Sequence, residues 1–229
     1  MLYYIGRELF RLLFLIFGRL TVIGRRNVPA TGGVLLASNH TSYMDPPLAG
    51  VACPRPIWFM AKADLFTVPI LKSLIPRTHA FPVKRGAVDR QALRRTYELL
   101  AAGKIVNIFF EGGRSKDGLL GRPESGIAMI ALRAGVPIVP TALINADRLL
   151  PRKAKMVCFT RLTVIFGEPL TFPHLVGEKP TREALREVSE TIARKVAELL
   201  RAHGAPERVP ENYPHCYVED AEKTAKAAV

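Results

Sequence analysis

Short apolar runs alternate along this chain with segments of helical periodicity. The clearest run, residues 105–110, contains a single polar residue, and the segment before it places Leu93, Tyr97 and Leu100 on one helical face and ends at Gly103. An apolar run of this length without polar alternation is typical of a strand buried on both faces, as strands of parallel sheets are. The pattern therefore indicates the α/β class.

The same alternation predicts the order of elements along the chain. We predict strands at residues 20–24, 33–37, 57–61, 80–83, 105–110, 136–144 and 162–166. We predict helices at residues 69–75, 90–102, 127–134 and 182–202. This order predicts a single domain with a mixed, largely parallel central sheet flanked by helices. A chain of 229 residues can bury such a core without metal or disulfide.

The first 20 residues predict a helix of a different character. Apolar side chains dominate it and a few arginines lie at its margins; the apolar set includes Tyr3, Phe10, Leu13, Phe14 and Phe17. Its uncharged stretch is well short of the roughly 20 residues that a spanning helix needs. We expect residues 1–20 to form an amphipathic helix in a membrane interface. The alternative is a helix packed on the domain core.

The rest of the chain divides into a domain and a tail. We expect residues 21–205 to form the α/β domain. Residues 206–229 mix proline, charge and alanine, a composition that predicts a loosely ordered tail.

The charge balance predicts an anionic partner. Lys and Arg number 33 against 20 Asp and Glu, which gives a net charge of +13. Such an excess suits nucleic acid or the phosphate face of a membrane, and the alternative is a basic surface that only maintains solubility. Aromatic residues concentrate in the apolar N-terminal segment and do not interleave with a basic stripe, so we predict no nucleic-acid binding.

The cysteines predict neither a disulfide framework nor a zinc site. Cys53, Cys158 and Cys216 are far apart and show no C-x-x-C spacing. We therefore expect no metal and a location on the reducing, cytoplasmic side.

A histidine and an aspartate follow the second predicted strand, in the run Asn39-His-Thr-Ser-Tyr-Met-Asp45. His40 thus lies just past a strand end, where α/β folds commonly place ligands. A histidine can take a proton from a hydroxyl near neutral pH, and a carboxylate such as Asp45 can hold the ring in one tautomer. The alternative is a loop histidine followed by an aspartate that caps the next helix.

A glycine-rich loop follows the strand at residues 105–110. Gly112 and Gly113 allow the backbone to approach a ligand and direct N–H groups at an anion. Arg114 offers bidentate recognition of phosphate. Glu111 could orient an arginine or accept a hydrogen bond from a substrate hydroxyl. The alternative is a tight surface turn in which Arg114 and Glu111 pair.

Two further segments indicate a function only weakly when each is considered alone. Lys84 and Arg85 are adjacent cations after a predicted strand, a pattern common on surfaces. Val136-Pro-Ile-Val-Pro140 is apolar and predicts a packed strand edge that shapes a pocket.

Taken in order, these blocks closely resemble the glycerolipid acyltransferases, the lysophosphatidate (1-acylglycerol-3-phosphate) acyltransferase family. The family pattern N-H-x-x-x-x-D is matched by Asn39, His40 and Asp45. The arginine of the second family motif is best matched by Arg85, and F-P-E-G-T-R-S is matched by residues 109–115. The fourth motif, V-P-[IV]-[IV]-P, is matched by residues 136–140, and the resemblance extends over residues 22–169.

The resemblance implies a role for each matched residue. It implies that His40 is the general base and that Asp45 orients it. It implies that Gly112 or Gly113 amides stabilise an oxyanion, and that the acceptor's glycerol phosphate is bound by a substrate-binding set: Arg85, Glu111, Gly112, Gly113, Arg114 and Ser115. No covalent acyl-enzyme, metal or cofactor is implied, because the acyl group passes directly from acyl-CoA or acyl carrier protein.

The resemblance also implies a setting: an acyltransferase domain at residues 21–205, peripheral or monotopic at the cytoplasmic face of an anionic membrane, with a lysophospholipid acceptor and phosphatidate as product. The chain departs from the family pattern at Phe110, Gly113 and Glu124, where proline, threonine and often lysine occur. These departures leave other acceptors open, such as a lyso-aminolipid or glycerol 3-phosphate. A hydrolase that activates water, or a basic non-catalytic binder, is the further alternative.

Overall fold

A seven-stranded sheet organises the described part of the chain, residues 2–84, 89–154, 156–175 and 180–214 of a computed structural model. The strands are β1 Thr21–Ile23, β2 Val34–Ser38, β3 Ile57–Lys62, β4 Ala80–Val83, β5 Ile105–Phe109, β6 Ile138–Ile144 and β7 Thr163–Phe166. Their order across the sheet is β1-β7-β6-β2-β5-β3-β4, and every pair is parallel except β6 with β7. The mixed, largely parallel sheet is confirmed.

Helices cover both faces of this sheet. They are α1 Leu2–Ile16, α2 Asp45–Ala52, α3 Pro69–Leu74, α4 Arg90–Ala101, α5 Ser125–Ala134, α6 Ala146–Leu149 and α7 Arg182–Ala202. Short 3-10 turns lie at Arg25–Asn27, Ala63–Phe66, Ile75–Thr78, Pro173–Leu175 and Pro206–Arg208. Buried side chains of α4, α5 and α7 pack on one face of the central strands, and those of α1 and α2 pack on the other. This two-sided burial explains why the central strands read as continuous apolar runs.

The register of the two central parallel strands decides where the site lies. Ser38, the last residue of β2, pairs with Phe109, the last residue of β5. The two polar loops that follow these strands therefore leave the sheet side by side at its carboxyl edge, which is where ligands of parallel sheets bind.

Two helices lie where the sequence pattern predicted none. α2 begins at Asp45, the last residue of the polar run that follows β2, and Pro46 and Pro47 occupy its first turn. Proline fits there, since the first N–H groups of a helix have no intrahelical partner. α6 is a single short turn after β6. The expected strand edge at residues 136–140 is also wrong, because β6 lies inside the sheet between β2 and β7.

The N-terminal helix α1 packs on the sheet with one face only. Tyr3 and Phe14 are buried, and Gly18 allows close approach after the helix, since a Cβ there would clash with the Leu162 side chain. The opposite face is exposed and largely apolar; it comprises Tyr4, Ile5, Leu9, Leu12, Leu15 and Ile16, with Glu8 among them. One face of α1 therefore packs on the domain core, and the other is free to contact a membrane interface. Among the described helices, none has the length and apolar character to cross a bilayer.

The start of the predicted tail packs on the domain. Arg208 is buried and forms a bidentate ion pair with Asp147 at 2.9 and 3.0 Å. Tyr213 is buried, and its hydroxyl donates to the Gly121 carbonyl at 2.9 Å. Residues 206–214 are thus held by specific contacts, in contrast to the predicted loose order, and residues 215–229 lie outside the described part.

Substitutions at Tyr213 test this packing. Tyr213→Phe removes one hydrogen bond and should lower the free energy of unfolding by about 1 kcal/mol. Tyr213→Ala also removes a buried ring and should lower it by roughly 3–5 kcal/mol. Urea unfolding measures both values, and two variants as stable as the wild type would show that this segment does not pack in solution.

Candidate active site

Two loops meet at the carboxyl edge of the sheet. The catalytic loop, residues 39–45, follows β2, and the glycine-rich loop, residues 110–118, follows β5. The Ser115 N–H donates to the His40 carbonyl at 2.8 Å, and the His40 N–H donates to Glu111 Oε1 at 2.7 Å. The backbone of His40 is therefore held on both sides by the neighbouring loop.

A single carboxylate oxygen gathers the donors of the catalytic loop. Asp45 Oδ2 lies 2.8 Å from His40 Nδ1 and accepts the N–H groups of Thr41 and Ser42, each at 2.7 Å. Asp45 is fully buried. Because a buried carboxylate needs such donors, its side chain fixes the turn that carries the histidine.

The His40 ring has one orientation in this arrangement. A ring nitrogen that faces a carboxylate carries the proton, so Nδ1 donates to Asp45 and Nε2 is left as the acceptor. The ring stacks on Phe109, with centroids 3.9 Å apart and planes inclined by 15°. With 8% of the residue exposed, the histidine is shielded yet reachable. The pair can take a proton from a hydroxyl that approaches Nε2.

Asn39 ties the start of the catalytic loop to the sheet. Its Nδ2 donates to the Leu143 carbonyl at 2.9 Å, and its Oδ1 accepts the Leu143 N–H at 2.7 Å. The side chain thus pairs with β6 as a strand residue would. The sequence indicates Asn39 and Phe109 only as motif positions, because neither the pairing of Asn39 with Leu143 nor the stacking of Phe109 on His40 has a local sequence signal.

Glu111 binds the backbone. Its Oε1 accepts the His40 N–H, and its Oε2 accepts the Gly121 N–H at 2.8 Å. Burial raises the pKa of Glu111 to about 7, although both N–H groups oppose the shift. These contacts make Glu111 a positioning residue for His40, and its predicted contact with substrate stays a prediction.

Gly112 and Gly113 differ in whether the backbone N–H group is already hydrogen-bonded. Gly112 has φ +67°, and its N–H donates to the Phe109 carbonyl at 3.0 Å, so this amide closes a turn. A Cβ at Gly112 would lie 3.0 Å from the Glu124 side chain. The Gly113 N–H has no acceptor within the described residues. Of the two predicted oxyanion donors, Gly113 is the one with an available N–H.

Arg114 and Ser115 have different surroundings. The Arg114 guanidinium lies over the Tyr43 ring, 3.6 Å from its centroid, and has no carboxylate partner in the described part of the chain. It can therefore offer its donors to an anion. The Ser115 hydroxyl donates to Asp117 and accepts the Gly118 N–H, each at 2.9 Å. Ser115 shapes a turn, and the predicted pairing of Arg114 with Glu111 does not occur.

Arg85 lies outside the described residues, so its place in the site stays a prediction. Lys84 beside it is exposed. Within the described ranges, no three His, Cys, Asp or Glu side chains are grouped so that they could hold a metal ion.

An apolar groove opens beside the glycine-rich loop. It has a volume of about 870 Å³ and is lined largely by side chains of β3, α4, β5 and α5. Glu111, Gly112 and Gly113 are among its lining residues, and so is Phe109, which also stacks on His40. The groove therefore offers a largely apolar space next to the glycine-rich loop and the His40 ring.

Comparison with known proteins gives a consistent result. A family model described as Acyltransferase matches residues 19–144. A 1-acyl-sn-glycerol-3-phosphate acyltransferase of Bacillus subtilis is 31% identical over 188 residues, which cover 80% of this chain and 88% of that protein. A chloroplastic enzyme of the same name from Arabidopsis thaliana is 31% identical over 59% of this chain and 38% of its own length.

A solved structure agrees with the sequence comparisons. The crystal structure of the 1-acyl-sn-glycerophosphate acyltransferase from Thermotoga maritima superposes with a TM-score of 0.67 at 28% identity. The match covers 86% of this chain and 78% of that one. The fold described above is therefore one that this enzyme shares.

Replacing Glu111 with glutamine tests how its burial affects stability. Because folding raises the Glu111 pKa from 4.5 to about 7, the folded state favours the protonated form. That stabilisation is complete below the unfolded pKa and is lost as the pH rises through about 7. The stability of the wild type relative to Glu111→Gln should fall by roughly 1–3 kcal/mol over this range. Urea unfolding at several pH values measures it, and a constant difference would contradict the burial.

Proposed function

Because this chain belongs to the acyltransferase family, we propose that it transfers a fatty acyl group from a thioester to the free hydroxyl of 1-acylglycerol 3-phosphate, giving phosphatidate. The observation that carries the proposal is the His40–Asp45 pair, whose 2.8 Å contact leaves Nε2 as an acceptor at the carboxyl edge of the sheet. The names of the relatives from Bacillus subtilis and Thermotoga maritima support the acceptor.

The proposed reaction needs one base and no enzyme nucleophile. As the acceptor oxygen attacks the thioester carbon, its proton passes to His40 Nε2. Asp45 stabilises the imidazolium that forms through the Nδ1 hydrogen bond. The tetrahedral intermediate then collapses, the C–S bond breaks, and the thiolate takes the proton from His40. The products are an oxygen ester and a free thiol, and the histidine returns to its starting state.

We propose the Gly113 N–H as the oxyanion donor, since the Gly112 N–H is already bonded to Phe109. A backbone donor held in a fixed turn stabilises charge that develops in the transition state without reorganising. One such donor is typically worth about a hundred- to a thousandfold in rate.

Arginines would hold the phosphate of the acceptor. Arg114 lies in the glycine-rich loop, and its guanidinium is held over the Tyr43 ring with its donors available. A planar guanidinium binds phosphate through paired hydrogen bonds. Arg85 keeps its predicted role as the second cation. The apolar groove beside Gly113 would hold the acyl chain, and both acyl-CoA and acyl carrier protein remain donors in this proposal.

The exposed face of α1 supports binding of the protein to a membrane interface through this helix. Phe159 adds a further exposed apolar side chain near the end of this helix: it is 75% exposed, and its ring centroid lies 4.8 Å from that of Phe17. Met156 in the same loop is 78% exposed. A net charge of +13 suits the anionic cytoplasmic face. We propose peripheral or monotopic attachment there through this surface.

An acceptor screen tests the function as a whole. Purified enzyme is given labelled acyl-CoA or acyl carrier protein with lysophosphatidate, a lyso-aminolipid or glycerol 3-phosphate, and the lipids are separated by chromatography. We expect labelled phosphatidate as the main product. Free fatty acid released equally with and without acceptor would instead identify a hydrolase.

Substitutions at the catalytic pair test the mechanism. His40→Ala should lower the rate of transfer by roughly a hundred- to ten-thousandfold, which is the usual contribution of a general base. Asp45→Asn should also lower it, because the imidazolium loses its counter-charge. His203→Ala, at the end of α7, serves as the control. Transfer by His40→Ala at the wild-type rate would refute the mechanism.

A charge in the exposed stripe of α1 tests membrane seating. Leu12 is 55% exposed at the middle of the stripe, so Leu12→Glu should leave the fold intact. It should weaken binding to anionic vesicles at least about tenfold, because it removes an inserted side chain and adds a negative charge. Gln91→Glu, on the exposed face of α4, makes the same change in charge and should bind as the wild type does. An equal loss of vesicle binding in both variants would show that net charge alone, and not insertion of Leu12, determines the binding.

A further inference from the structure

A small basic pocket lies between α1, β1 and α2, away from the catalytic loop. Its volume is about 210 Å³. Three arginines line it, Arg7 and Arg11 from α1 and Arg25 from the turn after β1. Apolar residues of β1 and α2, among them Val22 and Val51, complete its wall. A concave site with an apolar wall and convergent guanidinium groups is the form of an anion site.

The pocket follows one row of the α1 surface. Arg7, Arg11 and Leu15 are four residues apart in turn, so they lie on one line along the helix. Leu15 also belongs to the exposed apolar stripe. The row therefore forms the border between the stripe and the β1 side of the helix, and the pocket opens along that border.

The positive charge of this pocket is poorly balanced. Arg11 is 3.3 Å from Glu8, but both side chains are more than 60% exposed, so water screens that pair. Arg7 Nη2 reaches the Cys53 carbonyl at 3.4 Å, and its Nε is buried with no hydrogen-bond partner in the described structure. Arg25 has no carboxylate partner among the described residues. A buried donor without a partner destabilises the folded protein, and an anion bound in the pocket would supply the missing acceptor.

The pocket is separate from the acceptor site. β1 is parallel to β7, and β7 is antiparallel to β6, which in turn is parallel to β2. β1 therefore runs opposite to β2. Arg25, which follows the end of β1, lies at the edge of the sheet opposite to His40.

We propose that this pocket binds the phosphate of an anionic phospholipid headgroup, as a second lipid site distinct from the acceptor site. The proposal rests on the proposed membrane seating of α1. With the apolar stripe in the bilayer interface, the border row and its arginines lie at the depth of the headgroups, where basic pockets bind lipid phosphate. Paired guanidinium donors match a phosphate, and the apolar wall contacts the adjoining glycerol.

Titration with a soluble lipid tests the proposal without the non-specific attraction of a basic protein to an anionic membrane surface. Dihexanoyl phosphatidylglycerol, kept below its micelle concentration, is added to the full-length protein and followed by amide chemical shifts. We expect saturable one-to-one binding with shifts near Arg25 and Cys53. Arg7→Gln and Arg25→Gln should each weaken it about tenfold, as loss of a charged hydrogen bond does. Arg26→Gln is the matched control, since Arg26 is exposed beside Arg25 but does not line the pocket.

Three other results of this titration would overturn the proposed second lipid site. Shifts confined to Gly113 and Arg114, or equal losses in the Arg25 and Arg26 variants, would overturn the second site. Inorganic phosphate that binds as tightly as the lipid would show a free-phosphate site and overturn the lipid source. The acyl-transfer assay is independent, so a wild type that binds lipid here but transfers no acyl group would reject the proposed function alone.

Discussion

Three hydrogen bonds to one oxygen of Asp45 determine the geometry of the catalytic loop. Asp45 Oδ2 lies within 2.8 Å of the His40 ring nitrogen and of the N–H groups of Thr41 and Ser42, and Asp45 is fully buried. A buried carboxylate is stable only with such donors, so the turn and the ring orientation form together. The prolines of α2 follow directly and fix the helix that carries Asp45.

The glycine-rich loop supports this arrangement from outside. Glu111 accepts the N–H groups of both His40 and Gly121, and the Tyr213 hydroxyl donates to the Gly121 carbonyl, so the C-terminal segment supports the backbone of His40 indirectly. Placing an acid there carries a cost, visible in the raised Glu111 pKa. That an acid is used despite this cost fits a need for an acceptor that can bind two N–H groups at once.

The fold could be predicted from the sequence where apolar pattern determines structure, and less well where single contacts do. The runs that became β2 and β5 were clear because both faces of the sheet are covered. α2 was missed because Pro46 and Pro47 suggest a loop unless the helix start is recognised. The contact between Asp45 and the His40 ring could be predicted from the motif, whereas the Thr41 and Ser42 N–H groups that Asp45 also binds could not. Glu111 was expected to face substrate, since nothing local indicates that it binds the backbone of a residue 71 positions away.

In the proposed mechanism, Asp45 fixes the His40 tautomer so that Nε2 accepts the proton of the acceptor hydroxyl. Nitrogen-15 NMR of the histidine rings measures this directly, at a pH where the imidazole is neutral. We expect a protonated Nδ1 with a strongly shifted proton, an unprotonated Nε2, and loss of this signature in Asp45→Ala. A His40 ring protonated on Nε2, or one that exchanges freely between tautomers in the wild type, would contradict it.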